Sequence, residues 1–439
     1  MPTLTTHTLA VASFLQDAET FAGREDQNSP YAGLREKAKE AFSVMGIPGR
    51  KQEEWKYLDL SPIANTEFRN AGAAFDFVLG PSDAESYRLA GKEALLLVLE
   101  NGKLNTHASP MERIPAGIRI GTLSTLGHEA LVTEHLFRHA AVEGEPFVAM
   151  NTMLSHDPLI LLVEPKAEIK TPIQLAFVAV AGADPLAVTA RVLVVAGEGS
   201  ECTVMESYHT YGEGAPSFTN AVTEVVISAS ARLHYTKVQV ESGQAQHISY
   251  HKVNMARDSY QHLTTLTLGG ALVRNNLHIR LDDQHINAYL NGLYVMNGSQ
   301  VVDNHTLVDH AMPNCHSNEL YKGIINDRAQ GVFNGKIWVR QDAQKTNAYQ
   351  SNKNLLLSNE ASMNTKPQLE IFADDVKCSH GATTGQLDDE ALFYLRARGI
   401  GEANARTLLN HAFAADVIEQ VENDDIQQSL MHLLDTKLN

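Results

Sequence analysis

The 439-residue chain is 44% hydrophobic and 20% charged, the proportions of a folded protein with a large core in two or three structural units. A formal charge of −17, with no lysine- or arginine-rich block, argues against nucleic acid or an anionic membrane as partner, and no apolar run reaches the ~18 residues of a bilayer span. Three cysteines, Cys202, Cys315 and Cys378, are too scattered for a disulfide framework. Met1 to Leu15 lacks the basic and apolar regions of a secretory signal, so a reducing cytoplasm is expected.

From about Thr5 to Leu60, strong helix formers with apolar residues at turn spacing predict helices around 15–19 and 34–42, the second stopped at Gly46 and Pro48. Trp55, after the charged run 50–54, reads as an aromatic anchor onto a neighbouring unit. Between Phe75 and Leu126, the apolar run 94–99 and the turn residues 100–103 predict a small strand-containing region. His128-Glu129 is not a zincin motif, because Val132 stands where the second histidine belongs. Glu134, His135 and His139 read as a solvated helix face.

From about Asn151 the character changes. Short β-rich runs follow at 159–163, 175–180, 190–195, 221–228, 233–240, 262–268, 277–281, 288–295 and 301–308, separated by Gly, Asn, Asp or Pro. Without crossover helices a doubly wound sheet is excluded, leaving a sandwich, a barrel, a propeller or a β-solenoid; no blade signature repeats. Asparagines such as Asn275, Asn276, Asn291 and Asn304 suit turns, and suit amide stacking between solenoid rungs. After residue 385 the pattern is helical again, with starts near Asp388, Glu402 and Asp424. The expected division is therefore 1–150, helical with a small strand region; 151–385, a β body; and 386–439, helical.

Candidate chemistry is sparse. No Walker sequence occurs; Gly331 to Ile337 has the wrong spacing for one. His247, Ser249 and His251 share a strand parity and read as an exposed polar face, Asp282 to His285 as a turn, and Cys202 and Cys315 as structural. The first part of the stretch 367–383 alternates like a strand, with Leu369, Ile371 and Ala373 on one side and Glu370 and Phe372 on the other, and the stretch runs into Cys378-Ser379-His380. If strand geometry persists, Cys378 and His380 project from one face, roughly 6.5–7 Å apart at Cα. That pair is half of a tetrahedral metal site, to be completed from elsewhere or from another chain; the plain alternative is a buried thiol and a histidine bonded to a carbonyl.

These residues also carry a resemblance. Glu53-Glu54-Trp55-Lys56-Tyr57, the segments 146–152, 316–323 and 347–358, and above all 366–371 running into 374–383 resemble the SufB/SufD family of scaffold subunits of SUF iron–sulfur cluster assembly. The likeness covers most of the chain. Cys378-Ser379-His380-Gly381 stands where the SufB branch typically reads Glu-His-Glu-Ala, which favours the SufD branch; Ser155-His156-Asp157-Pro158 departs from the family's usual Asp-Gly turn. The resemblance implies a mainly β protein, a right-handed parallel β-helix flanked by N- and C-terminal helical regions. It implies a non-enzymatic scaffold that pairs with a SufB-type paralogue, or with itself in isolation. A nascent Fe–S cluster would form at that interface near His380 and Cys378, with flavin a further candidate in the assembled complex. A SufC-type ATPase would bind the C-terminal helices, where Phe393, Tyr394, Leu395, Arg396 and Arg398 are the candidate contacts. The competing expectation, a β-helix polysaccharide lyase, needs paired acids or an arginine base in a groove, and the sequence offers no convincing set.

Overall fold

The computed structural model describes residues 9–23, 29–71 and 77–438; the helix start at Thr5 and the strand-region start at Phe75 lie outside them. From Leu159 onward, strands go alternately to two ten-stranded sheets, each pairing in parallel with the strand two places on. Such a chain winds as a parallel β-helix of about eight turns. Leu272 pairs with Val301, and Val301 with Gln330, so one turn there takes 29 residues. Alternate residues point inward. Early turns fill with Leu161, Val194, Val204, Val225, Leu233 and Val253. Later turns carry amides: Asn275 Nδ2 donates to Asn304 Oδ1 one rung above, at 3.2 Å.

The two ends differ. At the N-terminal end, Ile118–Thr122 pairs antiparallel with Leu159–Val163. The hairpin Leu95–Glu100 to Lys103–Leu104 ends the other sheet. Its turn places Asn101 (φ 50) and Gly102 (φ 84) in the left-handed region, as a two-residue hairpin turn requires. At the C-terminal end, Ser362–Ile371 and Lys377–Gly385 are the last strands of their sheets, and no described strand pairs with their outer edges.

Helices cover the flanks. Leu9–Ala22, Ala32–Met45 and Pro146–Leu154 pack Phe14, Phe42 and Phe147 onto Phe218, Val222 and Ile248 of one sheet. Trp55 joins that cluster, 5.3 Å from the Phe147 ring and with the Arg274 guanidinium 3.9 Å over it, so the anchor reading holds. Glu402–Ile418 and Asp424–Leu438 pack Val417, Ile418 and Leu430 onto Val238, Leu266 and Leu293 of the other sheet. The N-terminal part is tied to the β-helix by a fully buried pair, Arg191 and Glu224, 2.7 Å apart. Glu224 also accepts the backbone N–H groups of Phe137, His139 and Ala140.

Two expectations are corrected, and one is refined. His247, Ser249 and His251 are buried rather than exposed. His247 bonds Glu241 at 2.9 Å, and Ser249 bonds Lys237 and Asn275, because the solenoid interior itself is polar here. His135 and His139 are half-buried with ring nitrogens 3.1 Å apart, not solvated. The strand geometry of 367–383 is interrupted rather than continuous: the chain turns at residues 372–376, where Asp374 and Asp375 sit, and resumes as a strand of the other sheet that carries Cys378 and His380.

Candidate functional site

The last turn of the β-helix exposes what earlier turns bury. Cys378 and His380 lie on Lys377–Gly385, in register with Ala348 and Gln350, which are inward-facing and buried one rung below. With no further turn above, His380 is exposed and Cys378 half-buried. The two share a strand face, as the spacing required. Phe372 is 61% exposed at the turn between the two last strands, and its chain neighbour Ile371 is exposed too.

Local packing separates the roles of the two residues. Cys378 packs against the small cluster of Ile337, Val339, Ala343, Ala348 and Ala373. Burial pushes its thiol above the ordinary value, against a smaller opposing hydrogen bond from the Ala348 backbone. A thiol in that state is a poor nucleophile and becomes a ligand only when a metal displaces its proton. His380 has no such packing and is free to meet an incoming group. Among the described residues no three His, Cys, Asp or Glu side chains converge as a metal site; a tetrahedral site takes four donors.

Three ion pairs tie the last turn to the rest of the chain. Lys366 bonds Glu53 at 3.0 Å, Lys336 bonds Glu370 at 2.7 Å and Lys345 bonds Asp375 at 3.3 Å. They brace the final turn while its strand edges stay open. An open edge presents unpaired N–H and C=O groups and is a template for another strand.

A second exposed surface lies on helix Asp389–Ala397. Asp388 caps it, accepting the Glu390 N–H at 2.9 Å. Leu392 is buried and Leu395 half-buried, whereas Phe393 is 74% and Tyr394 57% exposed. Arg398 donates to the Tyr394 hydroxyl at 2.9 Å, and Arg396 lies 3.5 Å from Glu402. Two neighbouring exposed aromatics flanked by arginines have the composition of a protein interface centre.

Sequence reasoning missed the groups beneath His380. Glu319 and Gln350 are buried, and burial pushes the Glu319 carboxyl up to about 7 against a weaker hydrogen bond from Gln350. Glu319, Gln350 and His380 lie one turn apart in sequence, a spacing that gains meaning only with the strand registers.

With this geometry in place, the chain can be set beside known proteins. Residues 177–413 match the model of the SUF system FeS cluster assembly SufBD core domain, and residues 16–175 match that of the SufBD protein N-terminal region. The chain belongs to the SufBD family of the SUF iron–sulfur cluster assembly system. It is 32% identical over 424 residues to the iron–sulfur cluster assembly SufBD family protein slr0076 of Synechocystis, covering 95% of this chain and 92% of that protein. It is 31% identical over 398 residues to the iron–sulfur cluster assembly protein SufD of Escherichia coli, covering 90% of each. It is 29% identical over 429 residues to the chloroplastic protein ABCI7 of Arabidopsis thaliana, covering 95% of this chain and 88% of that protein. No helix among the described residues is long and apolar enough to cross a membrane.

Proposed function

We propose that this chain is a SufD-type scaffold subunit that pairs through its open β-helix end with a SufB-type paralogue, and binds a SufC-type ATPase through the helix carrying Phe393 and Tyr394. The observation that carries the reading is the coincidence of two unpaired strand edges with a ligand half-site, Cys378 and His380, on the same terminal turn. An unpaired edge calls for another strand, and two ligands call for two more; a second chain with its own ligands answers both. The nascent cluster is the cargo of that interface. His380, exposed, is its ligand from this chain, and the packed thiol of Cys378 is auxiliary. Nucleotide hydrolysis resides in the ATPase partner, whose movement is transmitted through the C-terminal helices to the sheet they cover. The cytoplasm is the expected compartment.

The test is co-expression with SufB-type and SufC-type subunits, followed by anaerobic cluster reconstitution on the purified complex. His380→Ala is expected to abolish cluster formation with the complex intact, and Cys378→Ala to reduce it partially. Wild-type cluster formation by both variants refutes the reading.

A further inference from the structure

The register of the last turns stacks three polar side chains. Glu319 pairs with Gln350, and Gln350 with His380, at one position on three successive rungs. Rungs are about 4.8 Å apart, and residues in register point the same way. Glu319 is 1% and Gln350 3% exposed. Gln350 Nε2 donates to Glu319 Oε2 at 2.7 Å. That bond uses the donor end of the amide and leaves Oε1, which is buried and accepts no hydrogen bond from any described residue. The amide is also held from the opposite sheet, where a Cβ added at Gly335 would fall 2.3 Å from Gln350 Nε2. A buried acceptor left open is an exception in folded proteins, and here the next residue in register, one rung above, is the exposed His380.

We propose that Glu319 and Gln350 are positioning residues for His380: when a partner covers the open end, the imidazole turns onto the rung below and donates one ring N–H to Gln350 Oε1. The other ring nitrogen is then unprotonated and directed at the interface. Ligating imidazoles commonly donate their second N–H in this way, which fixes tautomer and orientation. The use of this arrangement rests on the reading of His380 as a cluster ligand; the hydrogen bond itself does not. One such bond, about 1 kcal/mol net, biases the tautomer ratio about fivefold.

The full chain, labelled with 15N-histidine and mixed with unlabelled SufB-type and SufC-type subunits at pH 8, gives the test. The His380 ring signals are identified by their loss in His380→Gln, and their shifts report which nitrogen carries the proton. One tautomer is expected to dominate in the wild type. In Gln350→Met the ratio is expected to relax about fivefold toward that of a free imidazole. Glu319→Met, which keeps Gln350 but lets its amide flip, moves the ratio part of the way and decides the matter where Gln350→Met does not fold. An unchanged ratio in the folded variants overturns the proposal. The readout needs no cluster, so a shifted ratio alongside normal cluster formation by His380→Ala supports the hydrogen bond and removes only the ligand reading.

Discussion

Arg191→Met tests how the N-terminal part is joined to the β-helix. Arg191 and Glu224 are both without solvent contact, 2.7 Å apart, and Arg191 also reaches the Asn151 and Thr152 side chains of helix Pro146–Leu154. Removing one member of a buried pair leaves an uncompensated charge, at a cost of about 3–5 kcal/mol. The pH dependence is specific. Burial pushes the Glu224 carboxyl up, but the Arg191 charge and the backbone N–H groups of Ala140 and His139 outweigh it and hold the pKa below 4.5. In the wild type this group therefore stabilises the fold above the unfolded value, and the contribution is lost as pH falls through the folded one. Without Arg191 burial prevails, the folded pKa rises above the unfolded one, and the carboxylate destabilises at neutral pH. The deficit should be largest near pH 7 and shrink toward pH 5, as Glu224 takes up a proton. Urea unfolding followed by circular dichroism at the two pH values measures it. A loss under about 1 kcal/mol at pH 7, or one that does not shrink on acidification, refutes the reasoning.

Three further outcomes are expected. Gly292→Ala sets a Cβ 2.2 Å from the Tyr321 ring and should cost about 1–3 kcal/mol by overpacking, read as a lower urea midpoint. Asn275→Ala withdraws the amide that bonds Lys237, Ser249, Gln239 and Asn304 and should cost about 1–3 kcal/mol, because buried partners lose their bonds; an unchanged midpoint contradicts the amide ladder. Phe393→Asp, at a side chain 74% exposed, should leave the thermal midpoint within about 2 °C and abolish co-purification of a SufC-type subunit.

The layout of helices, β body and helices was legible because helix formers, caps and apolar runs are local signals. Helices at 389–397, 402–418 and 424–438 begin within one residue of the acidic residues that announced them, Asp388, Glu402 and Asp424. The turn at Asn101-Gly102 was equally plain. Alternation of period two identifies a strand without saying which strand it pairs with, so from the residues alone the body stayed open among several β architectures. The same ambiguity misplaced His247 and Ser249: polar residues on a strand ordinarily face water, but in this solenoid Glu241 partners His247, and Lys237 and Asn275 partner Ser249, inside. Cys378 and His380 were visible as a pair because two-residue spacing survives in any strand. That Gln350 and Glu319 lie beneath them depends on the length of each turn, which only the paired registers reveal.

Backbone hydrogen exchange, measured on the monomeric chain and on its complex with SufB-type and SufC-type subunits, tests the central claim most directly. The account predicts that binding protects the amides of Ser362–Ile371 and Lys377–Gly385, whose outer edges no described strand pairs with, while the antiparallel strand at the N-terminal end, Ile118–Thr122, is unchanged. A stable complex in which those two strands exchange as they do in the monomer would contradict it.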